Sequence, residues 1–258
     1  MKKFLLALLV SAAAAVPASA RVNILEPWSP GVDFSLPSKQ WTHGGNVRWG
    51  SGDTSFFEGA YFLSNASIPD WEIEGSAGYL AVDPKGSANG HSGINDLAVG
   101  AKYRFPQPLL PSGIDSIAEA GLSLPTGDSD NGLGAGGFGA LLGWGVQAPI
   151  QLVTGYAHLG ARVYSEGRDT RWGSVFTYVV GAKYDWEKEW ILSADLRGFN
   201  HGRDKINGFR ATETVNELYL SPGAEWHPQD LPLQFLGNLL IGISHDAYDL
   251  GILAGVKY

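Results

Sequence analysis

Apolar side chains recur at every second position over most of this chain. Near its end, Tyr248, Leu250, Ile252, Ala254, Val256 and Tyr258 share one face of an extended segment, and Asp249, Gly251, Leu253, Gly255 and Lys257 share the other. Between 94 and 105 the apolar set is Leu97, Val99, Ala101, Tyr103 and Phe105, opposed by Asp96, Ala98, Gly100, Lys102 and Arg104. Trp71, Ile73, Ala77 and Tyr79 oppose Glu72, Glu74 and Ser76 in the same way. Phe176, Tyr178, Val180, Ala182, Tyr184 and Trp186 align in another segment, and Phe138, Ala140, Leu142, Trp144 and Val146 in a further one that carries glycines on its opposite face. A period of two is the mark of strands. Such segments, separated by Gly, Pro, Asn, Asp and Ser, are predicted near 40–50, 53–64, 71–82, 94–105, 114–124, 137–147, 150–163, 172–186, 189–199, 213–226, 232–244 and 248–258.

Most of these segments reach the about 9–11 residues that a tilted strand needs to cross a bilayer. Their number, about twelve, is even, as in single-chain bacterial barrels. Boundary errors of about two to four residues keep ten and fourteen as neighbouring counts. With both termini on the periplasmic side, connections should alternate between long polar surface loops and short turns. The loops are expected at 83–93, 125–136, 164–171 and 200–212, and the turns at Ala148-Pro149 and Glu187-Lys188. Two connections depart from this rule: 107–113, with Pro108 and Pro111, is long for a turn, and 50–53 is short for a surface loop. The expected fold is all-β, a transmembrane antiparallel up-and-down barrel. A secreted β-sandwich or lipocalin-like barrel shares the alternation but turns its apolar face inward. Lipid is favoured by the low charge of one face throughout, by Trp and Tyr at strand ends, where they form interfacial girdles, and by the terminal aromatic. Tyr258 reads as the insertion signal through which the last strand meets the barrel-assembly machinery.

Composition narrows the classes further. The first twenty residues are excluded from the fold: Lys2 and Lys3, the apolar run from Phe4 to Val10 and the Ala18-Ser19-Ala20 site read as a secretory signal peptide cleaved after Ala20. Residues 21–258 are then expected to form one barrel domain in the outer membrane of a Gram-negative bacterium. No later apolar run approaches the ~18 residues of a membrane helix. Zero cysteine excludes disulfide scaffolds and thiolate chemistry, and charged residues at 17% fall below the ~25% of ordinary soluble domains. A formal charge of −8, more acidic still once Lys2 and Lys3 are removed, offers no basic surface for nucleic acid.

The chemistry lies on the polar face. Glu72, Glu74, Asp96, Lys102, Arg104, Asp115, Glu119, Asp195 and Arg197 are expected to line the lumen. There they act either as a selectivity-setting constriction or as an ion-pair network that fills a narrow barrel. Twelve strands lie between the filled eight-stranded case and the open sixteen-stranded pore. An outer-membrane lipid-modifying enzyme would need nucleophile, base and orienter together near one rim. The histidines, His43, His91, His158, His201, His227 and His245, are scattered; His91-Ser92 and His201 with Asp204 fall on predicted surface loops, where they could converge, but no strand-borne His and Ser share a face at suitable spacing. No catalytic residue, cofactor or metal is assigned. Asp128, Asp130 and Asn131 resemble a Ca²⁺ loop but lack the downstream Glu of an EF-hand, and Gly132, Gly134, Gly136 and Gly137 lack the Lys-Ser/Thr of a phosphate loop. Pro125-Thr126-Gly127-Asp128 reads as a strand end followed by a turn.

The run Gly93-Ile94-Asn95-Asp96-Leu97-Ala98-Val99-Gly100-Ala101-Lys102-Tyr103-Arg104-Phe105, followed by Leu122-Ser123-Leu124-Pro125-Thr126-Gly127-Asp128 and a glycine-rich stretch, resembles the outer-membrane family of the phenol-degradation meta-pathway. Phe34-Ser35-Leu36-Pro37, leading into Trp41, is similar to the start of that family's first strand. The resemblance implies an outer-membrane barrel that passes small, often aromatic or hydrophobic, compounds by permeation. It does not imply catalysis.

Overall fold

The computed structural model describes residues 41–51, 54–84, 91–106, 113–131, 133–167, 170–171, 173–206, 209–210 and 214–258. The segment 1–20 expected to be a signal peptide, and Phe34 to Pro37, lie outside them. Twelve antiparallel strands form one closed ring: β1 (Trp41–Ser51), β2 (Thr54–Asn65), β3 (Trp71–Pro84), β4 in two pieces (His91–Ile94 and Leu97–Arg104), β5 (Asp115–Leu124), β6 (Gly139–Ile150), β7 (Val153–Tyr164), β8 (Val175–Glu187), β9 (Trp190–His201), β10 (Val215–Trp226), β11 (Gln234–Gly242) and β12 (Leu250–Lys257). Each strand pairs with its neighbours in sequence. The ring closes where β1, already paired with β2, also pairs with β12, from Gly44 opposite Lys257 to Ser51 opposite Leu250. Among the described residues, closure pairs every strand of the ring on both sides except at the rim piece His91–Ile94, which pairs with β3 alone, and a sheet without open edges is the condition for strands to sit in lipid.

The alternation decides which face goes where. Ile73 and Tyr79 on β3, Leu142 and Trp144 on β6, and Val180, Tyr184 and Trp186 on β8 are exposed, whereas Glu72 and Glu74, Leu141, and Val179 and Lys183 from the same strands are buried. The apolar residues therefore form the outer wall and the polar ones the interior, the reverse of a soluble barrel. Aromatic pairs gather outside at the end of the short turns. Trp190 and Trp226 stack at 5.9 Å, Trp226 and Phe235 at 5.3 Å, and Trp71 meets Tyr103 at 4.9 Å.

Four expectations are corrected. The turn expected at Glu187-Lys188 is Lys188-Glu189, because Glu187 stays in β8 opposite Trp190. Ala148 and Pro149 are not the β6–β7 turn: both stay in β6, Pro149 opposite Thr154, and the turn is Gln151-Leu152 with Gln151 at a left-handed φ of 58°. A proline near a strand end costs the ladder little, so it does not by itself stop the strand. The segment 94–105 is not continuous but breaks at Asn95-Asp96, where the Asn95 backbone N–H still donates to the Gly78 carbonyl of β3 at 3.0 Å. Tyr248 does not join the outward face of the last strand. The chain enters β12 at Leu250, and the Tyr248 ring turns inward to lie 4.6 Å from Phe56. That aromatic contact, on a strand distant in sequence, overrides the local period.

Candidate functional site: the barrel interior

Charged side chains in the middle of the barrel are satisfied by one another. Lys102 stands between Glu72 of β3 and Glu119 of β5 in register, and its Nζ lies 3.1 Å from Glu72 Oε2. His158 Nε2 of β7 meets Glu119 Oε2 at 2.9 Å, although β6 runs between them. The residues of β6 beside these two are Gly143, opposite Glu119, and Gly145, opposite His158, so no β6 side chain obstructs the reach. The same device recurs across β8. Gly181 is in register with Tyr156 on one side and Asp195 on the other, and the Tyr156 hydroxyl donates to Asp195 Oδ2 at 3.0 Å. Asp195 also accepts from Arg197, two residues on along the same face, by Nε at 2.6 Å and by the second guanidinium nitrogen at 3.0 Å. Both partners of this pair are fully buried. A two-pronged pair of this kind fixes geometry as well as charge.

The remaining expected residues take other places. Glu74 is buried on β3. Asp115, at the turn end of β5, accepts from Gln147 at 3.0 Å. Arg104 is exposed at the turn-end rim, 3.8 Å from Asp70. Asp96, in the break of β4, accepts the backbone N–H of Gly127 at 2.9 Å and of Ala135 at 2.8 Å. Tyr258 sits beside β1, exchanging backbone hydrogen bonds with His43 at 2.9 and 3.3 Å.

Toward the loop end the interior widens into a cavity of 320 Å³. Its walls come from most of the ring and from two infolded loops: Arg48, Glu58, Leu80, Arg162, Tyr164, Phe199 and Glu217 from strands, Leu133, Gly134 and Ala135 from the β5–β6 loop, and Tyr248 from the β11–β12 loop. Glu58 takes Arg48 at 3.0 Å and Asn95 at 3.2 Å, and the Arg48 guanidinium lies 4.2 Å from the centre of the Phe56 ring. Tyr248 donates its N–H to the Tyr219 hydroxyl, which itself donates to Glu217 at 2.8 Å. Burial first, and then Glu217, push the Tyr248 phenol above its ordinary range against the opposing pull of Arg48. Mixed charge and aromatic walls suit a small solute with both polar and flat apolar parts.

Sequence reasoning missed His158, Tyr156, Arg48, Glu58, Arg162, Lys183 and Glu217. Each has the parity of its strand's buried set, so the alternation that marked Glu72 would have marked them. The rim histidine has a structural partner: His201 Nε2 meets Asp204 at 2.8 Å, and Asp204 also accepts the Gly173 N–H, tying two loops together. Asp128 holds Asn131 through its backbone and side-chain nitrogens, and among the described residues no three His, Asp or Glu groups gather as a metal site.

A closed ring of twelve antiparallel strands, apolar outside and charged within, defines the class of outer-membrane-type β-barrels. Residues 32–257 match the model of the family described as "Putative MetA-pathway of phenol degradation", and the chain belongs to that family. No curated protein matches the sequence. Among solved structures, the chain is similar to the COG4313 outer membrane channel from Pseudomonas putida F1, with a TM-score of 0.72 and 14% identity over 86% of this chain and 96% of that one. It is also similar to the NanC porin, with a TM-score of 0.53 and 10% identity over 84% of this chain and 98% of that one. A third is the transport unit of the autotransporter AIDA-I from Escherichia coli, with a TM-score of 0.52 and 11% identity over 85% and 90% of the two chains. At these identities the likeness is one of fold.

Proposed function

We propose that the protein is an outer-membrane channel for passive passage of small solutes, with aromatic or hydrophobic compounds as the favoured class. The observation that carries this reading is the cavity at the loop end, aromatic and aliphatic on Tyr164, Phe199, Tyr248, Leu80 and Leu133, standing above an interior lined by charge. Glu72, Glu74, Lys102, Glu119, Asp195 and Arg197 line the passage in this reading, with Asp115 and Arg104 at its turn-end exit and Asp96 at its mouth. The structures it resembles, a channel and a porin, support the same function. Residues 1–20 serve as the export signal, and the last strand, ending in Tyr258, is what the assembly machinery engages. No catalysis is assigned.

Single-channel recording of the refolded protein in a planar bilayer, with reversal potential at asymmetric salt, tests the reading. Discrete steps whose ion preference shifts in Glu72→Gln and Glu119→Gln are the expected result. Silence from inserted protein rejects an open pore. It favours the second reading, a plugged barrel with a surface role, to which the buried Lys102–Glu72, His158–Glu119 and Arg197–Asp195 pairs lend support.

A further inference from the structure

We infer that Asp96 is a positioning residue that pins the β5–β6 loop inside the mouth of the barrel, so that Leu133 sets the width of the opening. The inference rests on the channel reading for its consequence and on geometry for its substance. Asp96 occupies the two-residue break in β4, on the inner side with Ala98 and Lys102, and its carboxylate lines the cavity. Each oxygen takes one loop amide, Oδ1 from Gly127 and Oδ2 from Ala135, and so clamps both ends of the segment between them. A third bond lies alongside, from the Leu97 N–H to the Thr126 hydroxyl at 2.8 Å. Leu133, between the clamped ends, and Ala135, at one of them, are buried although the loop leaves from the rim.

The glycines around the clamp are placed for close approach. A side chain at Gly134 would strike Asp96 Oδ1, one at Gly127 would meet the Leu133 carbonyl, and one at Gly93 would occupy the place of the Leu133 side chain. The two separated runs, Gly93 to Asp96 and Thr126 to Gly134, thus form one device. Leu133 lines the same cavity as Tyr248, which is held inward by its N–H bond to the Tyr219 hydroxyl.

The chain has no cysteine, so a single introduced thiol reports unambiguously. The full-length protein is refolded as Leu133→Cys alone, with Asp96→Ala, and with Ala135→Pro, which removes one donated N–H and leaves the carboxylate and its charge in place. Labelling by a water-soluble maleimide is timed, with Ile117→Cys in the barrel core as control. Loss of hydrogen bonds to a charged acceptor should raise the labelling rate of Leu133→Cys on the order of tenfold or more in both latch variants. The Ile117→Cys thiol should stay slow in both backgrounds. Equal labelling of Leu133→Cys with and without the latch overturns the inference, as does parallel acceleration at Ile117→Cys, which would mean general loosening. Conductance of Asp96→Ala and Leu133→Ala, both expected to exceed that of the parent, separates the two readings. A labelling response without current in any variant supports the latch and rejects the channel, whereas currents that leave these two variants unchanged overturn Leu133 as the size-setting residue.

Discussion

Among individual residues, the energetic centre of the interior is the Asp195–Arg197 pair. Both groups are withdrawn from water, and Asp195 is held by three donors, two from Arg197 and one from Tyr156. Removing one member of such a pair strands the other charge in a poor solvent, a loss of about 3–5 kcal/mol. Asp195→Ala is therefore expected to lower folding stability by that order, read as a lower urea midpoint in detergent, and the Asp195→Ala/Arg197→Met double variant is expected to recover much of it. Asp195 and Arg197 were legible in the sequence because two charges at i and i+2 on an otherwise apolar strand admit few readings. Tyr156 and His158 share the inward parity of β7, which the alternation could have marked, but their partners could not be read from it. Their partners lie two strands away, on β9 and β5, and only closure of the sheet brings them near.

At the level of the strand, the alternation was nearly sufficient. It placed every strand of the ring and the outer face of the segments it singled out, because period two is a property of neighbouring residues, but it read as loop the short strands Thr170–Arg171, Lys205–Ile206 and Phe209–Arg210, which pair with one another in a small separate sheet. It failed at Tyr248, which leaves the outer face for Phe56, and it did not show that the strand breaks at Asp96, whose side chain keeps the inner side but is held there by loop amides. The inner glycines of β6 were visible in the sequence as a glycine face and Gly181 of β8 was not singled out, yet these glycines decide which strands communicate. Gly181 is the sharper case, since a Cβ there would lie 2.6 Å from the Ala194 carbonyl and 2.5 Å from the Asp195 Cβ. Gly181→Ala should force β8 and β9 apart locally and break the Tyr156–Asp195 bond, costing about 1–3 kcal/mol. Differential loss of that bond is measurable by comparing Tyr156→Phe in the parent and Gly181→Ala backgrounds: the tyrosine substitution should destabilise the parent and leave the glycine variant nearly unchanged. A full effect in both backgrounds would reject the bridging role of the glycine.

Taken as a whole, the molecule keeps its charges in pairs within and its apolar area against lipid, and its connections divide it into a turn end and a loop end. The family and the barrel were both within reach of the sequence, whereas the infolding of the β5–β6 and β11–β12 loops was not. Loop position depends on a few hydrogen bonds between segments far apart in the chain, and no periodicity records them. The closing seam joins residues from the two ends of the ring's sequence, down to the paired backbones of His43 and Tyr258. A ring closed by the same ladder that joins every other pair of strands has no privileged first strand. A circular permutant that links Tyr258 to Trp41 through a short flexible spacer, and starts instead at the tight Lys188-Glu189 turn, is expected to refold into detergent with the parent's heat-modifiable mobility on a gel. The order in which the twelve staves are spelled would then be a matter of genetic convenience, and the circle itself the conserved object.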